Sequence, residues 1–298
     1  MPIIVRGAEV ATQTIGTGVT TQSLLSPENT GSDNVLLDLI TLENGATFDL
    51  ALNDESFGWL QVVYGSGSLA GYDQDLEPNG VTYLPLGYSG TFSAAADGTR
   101  LLMATVPDAA RFDPDVAETP SALRTTDWSH EPVLQSEHDE RTRIYMATRT
   151  LTGTSAYRGE MIRYPSGTQA PAHHHEGAEH FQYVLKGNCT ALLAGETSKL
   201  SAGDVLYNYE NEVHSFLNDS DDEFIFVEFF VPGGCKTIWA PGANPCAWLP
   251  TGADIMGRPP SRDIAYHVHG EDKGIYPPAY SRLTNGCFGQ ERTSVNVH

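Results

Sequence analysis

The stretch that most constrains this chain is GTQAPAHHHEGAEHFQYVLKG, Gly167 to Gly187, followed by GDVLYNYENEVHSFLN, Gly203 to Asn218. The first piece places His173, His175 and His180 close together, and the second adds His214 about thirty residues later. On an extended strand, side chains at i and i+2 share a face. His173 and His175 can therefore converge on one ion while His174 points away. EGAE reads as a short polar turn, and FQYVLK as the returning strand that brings His180 beside the pair. Imidazole suits Zn, Cu, Fe and Ni, so ligand type alone does not name the metal.

The glycine framework resembles the cupin superfamily. Gly167, His173, His175, His180 and Gly187 fall at the spacings of the first cupin motif, and Gly203, His214 and Asn218 at those of the second. Tyr209 and Asn211 stand where the second motif has proline and an inner glycine. The resemblance implies a β-barrel binding one divalent transition metal through His173, His175, His180 and His214. The usual glutamate position holds His180; the preceding Glu179 is the alternative ligand. Four neutral ligands would leave the ion more positive, favouring an anionic substrate or a more acidic bound water. Histidine at this place is known in some cupins, including certain polyketide cyclases.

The same spacing recurs upstream. Gly45, Ala51, Asn53, Gly58 and Gly65 sit at the offsets of Gly167, His173, His175, His180 and Gly187, and WLQVVY takes the place of FQYVLK. PLGYSG, Pro85 to Gly90, keeps the proline pattern, with Gly90 in the histidine's place. The expected fold is thus all-β: two cupin (double-stranded β-helix, or jelly-roll) barrels in tandem, the first without a metal. The expected layout is an N-terminal barrel over 1–110, a polar linker over 111–142, a metal-binding barrel over 143–231, and a Gly/Pro-rich extension over 232–298 that packs on the barrels. A tail of that length is seldom structureless in a compact protein.

Composition bounds the partners. The chain has 298 residues, enough for two domains, and its 29 glycines and 18 prolines suit a turn-rich β protein. A net charge of −21 argues against nucleic-acid binding and against an anionic membrane surface. No apolar run approaches transmembrane length. Cys189, Cys235, Cys246 and Cys287 show no CxxC spacing, and MPIIVRGAEV lacks the marks of a signal peptide. The expectation is a cytoplasmic protein with reduced cysteines. A homodimer follows from cupin habit. His267 and His269 repeat the i, i+2 spacing without a third ligand nearby, and read as surface histidines.

Other residues are candidates for catalysis or substrate binding. Gln182 shares parity with His180 and should face the cavity. An inward Arg163 would anchor a carboxylate through its guanidinium fork. Tyr207 and Tyr209 could present hydroxyls, and Phe216 belongs to an apolar wall. Glu228 shares parity with Phe224, Phe226 and Phe230, where a carboxylate is costly unless partnered.

The cupin resemblance implies a mononuclear metalloenzyme acting on a small molecule. The favoured reading is an Fe(II) dioxygenase whose substrate chelates the ion through two oxygens. The runner-up is a non-redox hydrolase, lyase, isomerase or cyclase using Mn, Ni or Zn as a Lewis acid; its layout is similar to that of ureidoglycine aminohydrolases. A non-enzymatic storage or binding bicupin is the third.

Overall fold

Runs of β-branched and aromatic residues cut by glycine and proline become strands almost throughout. The structure, a computed structural model, describes residues 1–119, 122–264 and the backbone of 267–268. His269 and Cys287, with nearly half of the expected extension, lie outside the described residues. No helix among those described is long and apolar enough to cross a membrane.

The chain divides into two compact units. One comprises residues 5–128 and 151–156; the other comprises 1–4, 129–150 and the described residues from 157 onward. Each unit is a jelly-roll barrel built from a larger and a smaller antiparallel sheet. In the first, the larger sheet centres on Phe57–Tyr64 and Thr99–Val106, and the smaller on Thr47–Ala51 and Ser89–Ala94. Leu50 and Phe92 from one sheet meet Leu60 and Leu101 from the other, filling the interior with hydrocarbon.

Polar composition is a poor guide to the stretch expected as a linker over 111–142, and that expectation is corrected. Arg124–Asp127 pairs with Gly80–Leu84 as an edge strand of the first barrel. Leu134–Ser136 pairs with Thr142–Ala147 and belongs to the second. Asp113 is buried and accepts hydrogen bonds from Thr154 Oγ1 at 2.6 Å and Ser155 N at 2.9 Å. A polar side chain satisfied in this way folds into an interior as readily as an apolar one.

In the second barrel the larger sheet runs, in spatial order, Val205–Asn208, Glu179–Lys186, Phe224–Val231, Arg158–Tyr164, Thr142–Ala147, Leu134–Ser136 and Ala247–Pro250. The smaller runs Glu196–Ser201, Asn188–Leu193, His214–Leu217, His173–Glu176 and Lys236–Trp239. Three strands from beyond residue 231 thus join the sheets, His267–Val268 pairing with Ala247–Pro250, which is firmer attachment than packing on the outside.

The motif residues outside the histidines hold this frame. Asn218 is buried and donates through Nδ2 to Tyr164 O (2.7 Å) and Asp222 O (2.8 Å). Asn211, where the motif has glycine, adopts the left-handed conformation at φ 69° and donates its N–H to His175 O; asparagine tolerates that region better than most residues. Gly187 sits at φ 76°, and a Cβ there would lie 2.3 Å from Glu223 O. Gly167 has φ 78° but nothing within 4 Å of the same position. Gly167→Ala should therefore cost only about 1 kcal/mol of conformational strain. Gly187→Ala should cost about 3 kcal/mol or more, since backbone must also move. Urea unfolding of the two variants checks the difference.

Candidate metal centre

Strand pairing assembles the site. His173 lies opposite His214 across the smaller sheet, and His175 opposite Thr237. On the larger sheet, inward-facing residues form cross-strand rows. One row carries Asn208, His180, Phe230 and Arg158; the next carries Leu206, Gln182, Glu228, Glu160 and Tyr145; a third carries Val184, Phe226, Ile162 and Arg143. Cross-strand neighbours on one face are within contact range, so Gln182 and Glu160 flank Glu228 inside a barrel lined by phenylalanine.

The four imidazoles gather. Ring centroids are 4.7 Å apart for His175 and His180, 4.8 Å for His180 and His214, 5.4 Å for His175 and His214, and 4.5 Å for His173 and His214. One ligand-capable atom from each of His175, His180, His214 and Glu228 lies within 4.8 Å of the other three. Glu228 thus takes a place that the sequence reading reserved for His173. His173 flanks the group: its Nδ1 meets Pro171 O at 2.8 Å and its ring tilts against Trp239, 5.2 Å between centroids.

The donor set fits a divalent transition metal. Both ring nitrogens of His180 are buried and have no hydrogen-bond partner. A buried polar atom left so costs about 1–3 kcal/mol, and coordination would satisfy one of the two. The other histidines are oriented from behind. His214 Nδ1 meets Glu212 O at 2.9 Å, and His175 Nδ1 lies 3.1 Å from Thr237 Oγ1. With Nδ1 engaged, Nε2 is the nitrogen left to face the centre.

Burial sets the charge states of the bare site. Desolvation holds His173 and His180 well below the usual histidine range, with the His214 charge adding to the effect. His214 is lowered to about 4, again chiefly by burial. All three are therefore neutral near pH 7, the form that binds metal. Burial, reinforced by the charge of Glu160 and opposed by Arg143, pushes the Glu228 carboxyl up to about 8. A cation at the centre would reverse that preference and favour the carboxylate.

Several expected site residues lie elsewhere. Arg163 faces outward, a third exposed, and pairs with Glu223 at 2.6 Å; it does not anchor a ligand. Glu179 lies on the opposite face of its strand from His180 and accepts a hydrogen bond from Tyr207, so neither reaches the centre. Tyr209 packs edge-on against Tyr207 on that same side. Gln182 does face inward: its Nε2 donates to Glu228, and its Oε1 accepts from Asn208 Nδ2 at 2.9 Å. Phe216 lines the cavity beside the histidines. Cys189 and Cys246 are buried thiols, whereas Cys235 is disulfide-bonded, contrary to the expectation that all four are reduced.

The sequence reading missed the cations. Arg141, Arg143 and Arg158 are buried, as is Glu160. Thr142–Ala147 and Arg158–Tyr164 are covered on both faces, so they show no alternation to separate inward from outward positions. A cavity of about 30 Å³ opens beside the histidines, walled by Arg143, Glu228, Phe226 and Trp248, with Pro171, His173 and Trp239 at its partly exposed side.

Residues 160–230, the core of this barrel, match the family model described as Cupin domain. The barrel is a cupin fold. Solved structures extend the likeness to both units. Oxalate decarboxylase from Bacillus subtilis at pH 4.6 is 15% identical, with a TM-score of 0.65, over 79% of this chain and 78% of that one. A structure from work on the Mn(II) centres of Bacillus subtilis oxalate decarboxylase gives 15%, a TM-score of 0.63 and the same coverage. At that identity the likeness is one of fold. No curated protein matches the chain.

The lowered imidazoles give the metal-free protein a pH signature. Well above pH 6.5, His173, His180 and His214 are neutral both folded and unfolded and contribute no pH dependence. As pH falls from 6.5 towards about 4, the unfolded chain takes up a proton that folded His214 refuses, so stability falls. Glu228 titrates in the opposite sense, but a variant that keeps it cancels its contribution. His214→Asn should flatten the decline by on the order of 1 kcal/mol per pH unit in that window. Urea midpoints of both proteins across the range would show it; parallel curves would mean that His214 charges in the folded state.

Proposed function

We propose that this protein is a mononuclear metal-dependent enzyme whose centre lies in the second cupin barrel. We further propose that His175, His180, His214 and Glu228 hold one divalent transition metal, with His173 beside them. The observation that carries the reading is the buried His180, neither of whose ring nitrogens has a hydrogen bond, facing three other donors. In a storage protein such a group would carry a desolvation cost with no return. The first barrel, with hydrocarbon at its centre and Gly58 and Gly90 in place of ligands, serves on this reading as scaffold.

An ion held here supplies Lewis-acid polarisation of a bound oxygen and, for a redox metal, electron transfer. The chain's own residues do the rest. Phe216, Phe226 and Phe230 keep water from the reacting face. The Gln182 amide holds Glu228 from one side while Glu160 flanks it on the other. Glu160 lies between two guanidiniums, Arg143 at 3.4 Å and Arg158 at 3.9 Å, which stabilise negative charge beside the centre.

Non-redox chemistry, in which a carboxylate row manages protons next to a Lewis acid, is the reading this surround supports best, and Mn, Ni or Zn would serve it. The dioxygenase reading, with Fe, rests on the apolar wall and the histidine-rich donor set. Elemental analysis and turnover assays separate the possibilities. Purified protein should hold one equivalent of metal per chain. His175→Ala and Glu228→Gln should weaken metal binding by more than about 100-fold, beyond the loss typical of residues behind the ligands. Substrate conversion without oxygen supports the non-redox route; stoichiometric oxygen uptake with iron supports the oxygenase. Full-length protein that takes up no metal from metal-replete solution would overturn both.

A further inference from the structure

The cavity beside the histidines carries a cation whose bonding is incomplete. Arg143 is 4% exposed. Its Nε is buried with no hydrogen-bond partner. Its remaining polar contacts are long: Nη1 to Tyr145 Oη at 3.5 Å and Nη2 to Glu160 Oε1 at 3.4 Å. Its guanidinium carbon sits 4.4 Å from the centre of the Trp248 ring, which fixes the plane of the fork without using its N–H groups. Arg141, on the same strand side, is different. Its Nε binds both oxygens of Asp139, at 2.8 and 2.7 Å. The wall therefore holds one compensated guanidinium and one that is underused.

Charge counting points the same way. Glu160 is shared between Arg143 and Arg158, and neither of its oxygens makes a hydrogen bond. Glu160, at 3.4 Å, is a loosely placed partner for Arg143, and a buried charge without a close partner is costly. An incoming anion would offset that cost. The planar N–H fork of arginine matches the two oxygens of a carboxylate better than it matches a spherical ion. About 30 Å³ holds roughly two or three water-sized groups, so the ligand is small.

We propose that this cavity binds a small monocarboxylate of two or three carbons, its carboxylate on Arg143 beneath Trp248 and its remaining atoms directed to the histidine group. This names the substrate class of the site and rests on the metalloenzyme reading only for the reaction, since the anchor belongs to the protein.

Acetate and its neutral isostere acetamide are the probes. Each is titrated into metal-free and zinc-loaded full-length protein. Binding is read by calorimetry and by tryptophan fluorescence, because Trp239 and Trp248 both line the cavity. Acetate should bind one to one, at least tenfold tighter than acetamide. Arg143→Met should lose at least tenfold in acetate affinity, Arg143→Lys should recover part of it, and Arg163→Gln should bind as wild type does. Where Arg143→Met fails to fold, the acetate–acetamide comparison on the wild type decides. Equal binding of the two probes, absence of acetate binding in both protein forms, or unchanged affinity in a folded Arg143→Met protein overturns the proposal. Metal content of the same samples tells the two readings apart. One equivalent of zinc without acetate binding defeats the carboxylate anchor alone, and acetate binding by a protein that takes up no metal defeats the metalloenzyme reading alone.

Discussion

The structure turns on the exclusion of water from a set of nitrogen and oxygen lone pairs that face one another. Imidazole is content in water and poor in hydrocarbon. Packed under Phe230, whose ring stacks on His180 at 4.9 Å, the rings lose their solvent and are driven to the neutral state. The strands then have to do two things at once. They must bring donors from both sheets to one point, and they must keep everything else there apolar. Antiparallel pairing achieves the first through register, and the phenylalanines of Phe224–Val231 achieve the second.

What stands behind the donors matters as much. Glu212 O and Thr237 Oγ1 engage the outward nitrogens of His214 and His175, turning rotatable rings into directed ones. Gln182 does the same for Glu228. Glu228, Gln182 and Glu160 are lateral neighbours, so a shift of one residue in any of three strands would break the row and send each side chain to the opposite face. The glycine at 187 and the left-handed asparagine at 211 are the local conformations that keep those registers in place.

The histidine spacing was legible because a motif confined to a hairpin is local: i, i+2 parity and a turn suffice to gather His173, His175 and His180. Parity along EFIFVEFFV also pointed Glu228 inward. Parity failed where a strand is covered on both faces. Nothing in TRIYMA separates Arg143 from Ile144, and nothing near Arg163 in sequence shows that Glu223, sixty residues away, draws it to the surface. Parity already favoured His180 over Glu179; Tyr207, on the strand after Gly203, pairs with Phe181 and so shares the outer face with Glu179. The polar segment over 111–142 resembled a tether because its partners, such as Thr154 for Asp113, come from distant sequence.

Trp239 and Trp248 reach the cavity from strands that follow the last strand of the matched domain, Lys236–Trp239 and Ala247–Pro250. The clustered nitrogen and oxygen donors and the rings that shape the space beside them are therefore written in separate parts of the sequence. Substitutions in the later part can therefore reshape the space beside the donors without touching the strands that gather them.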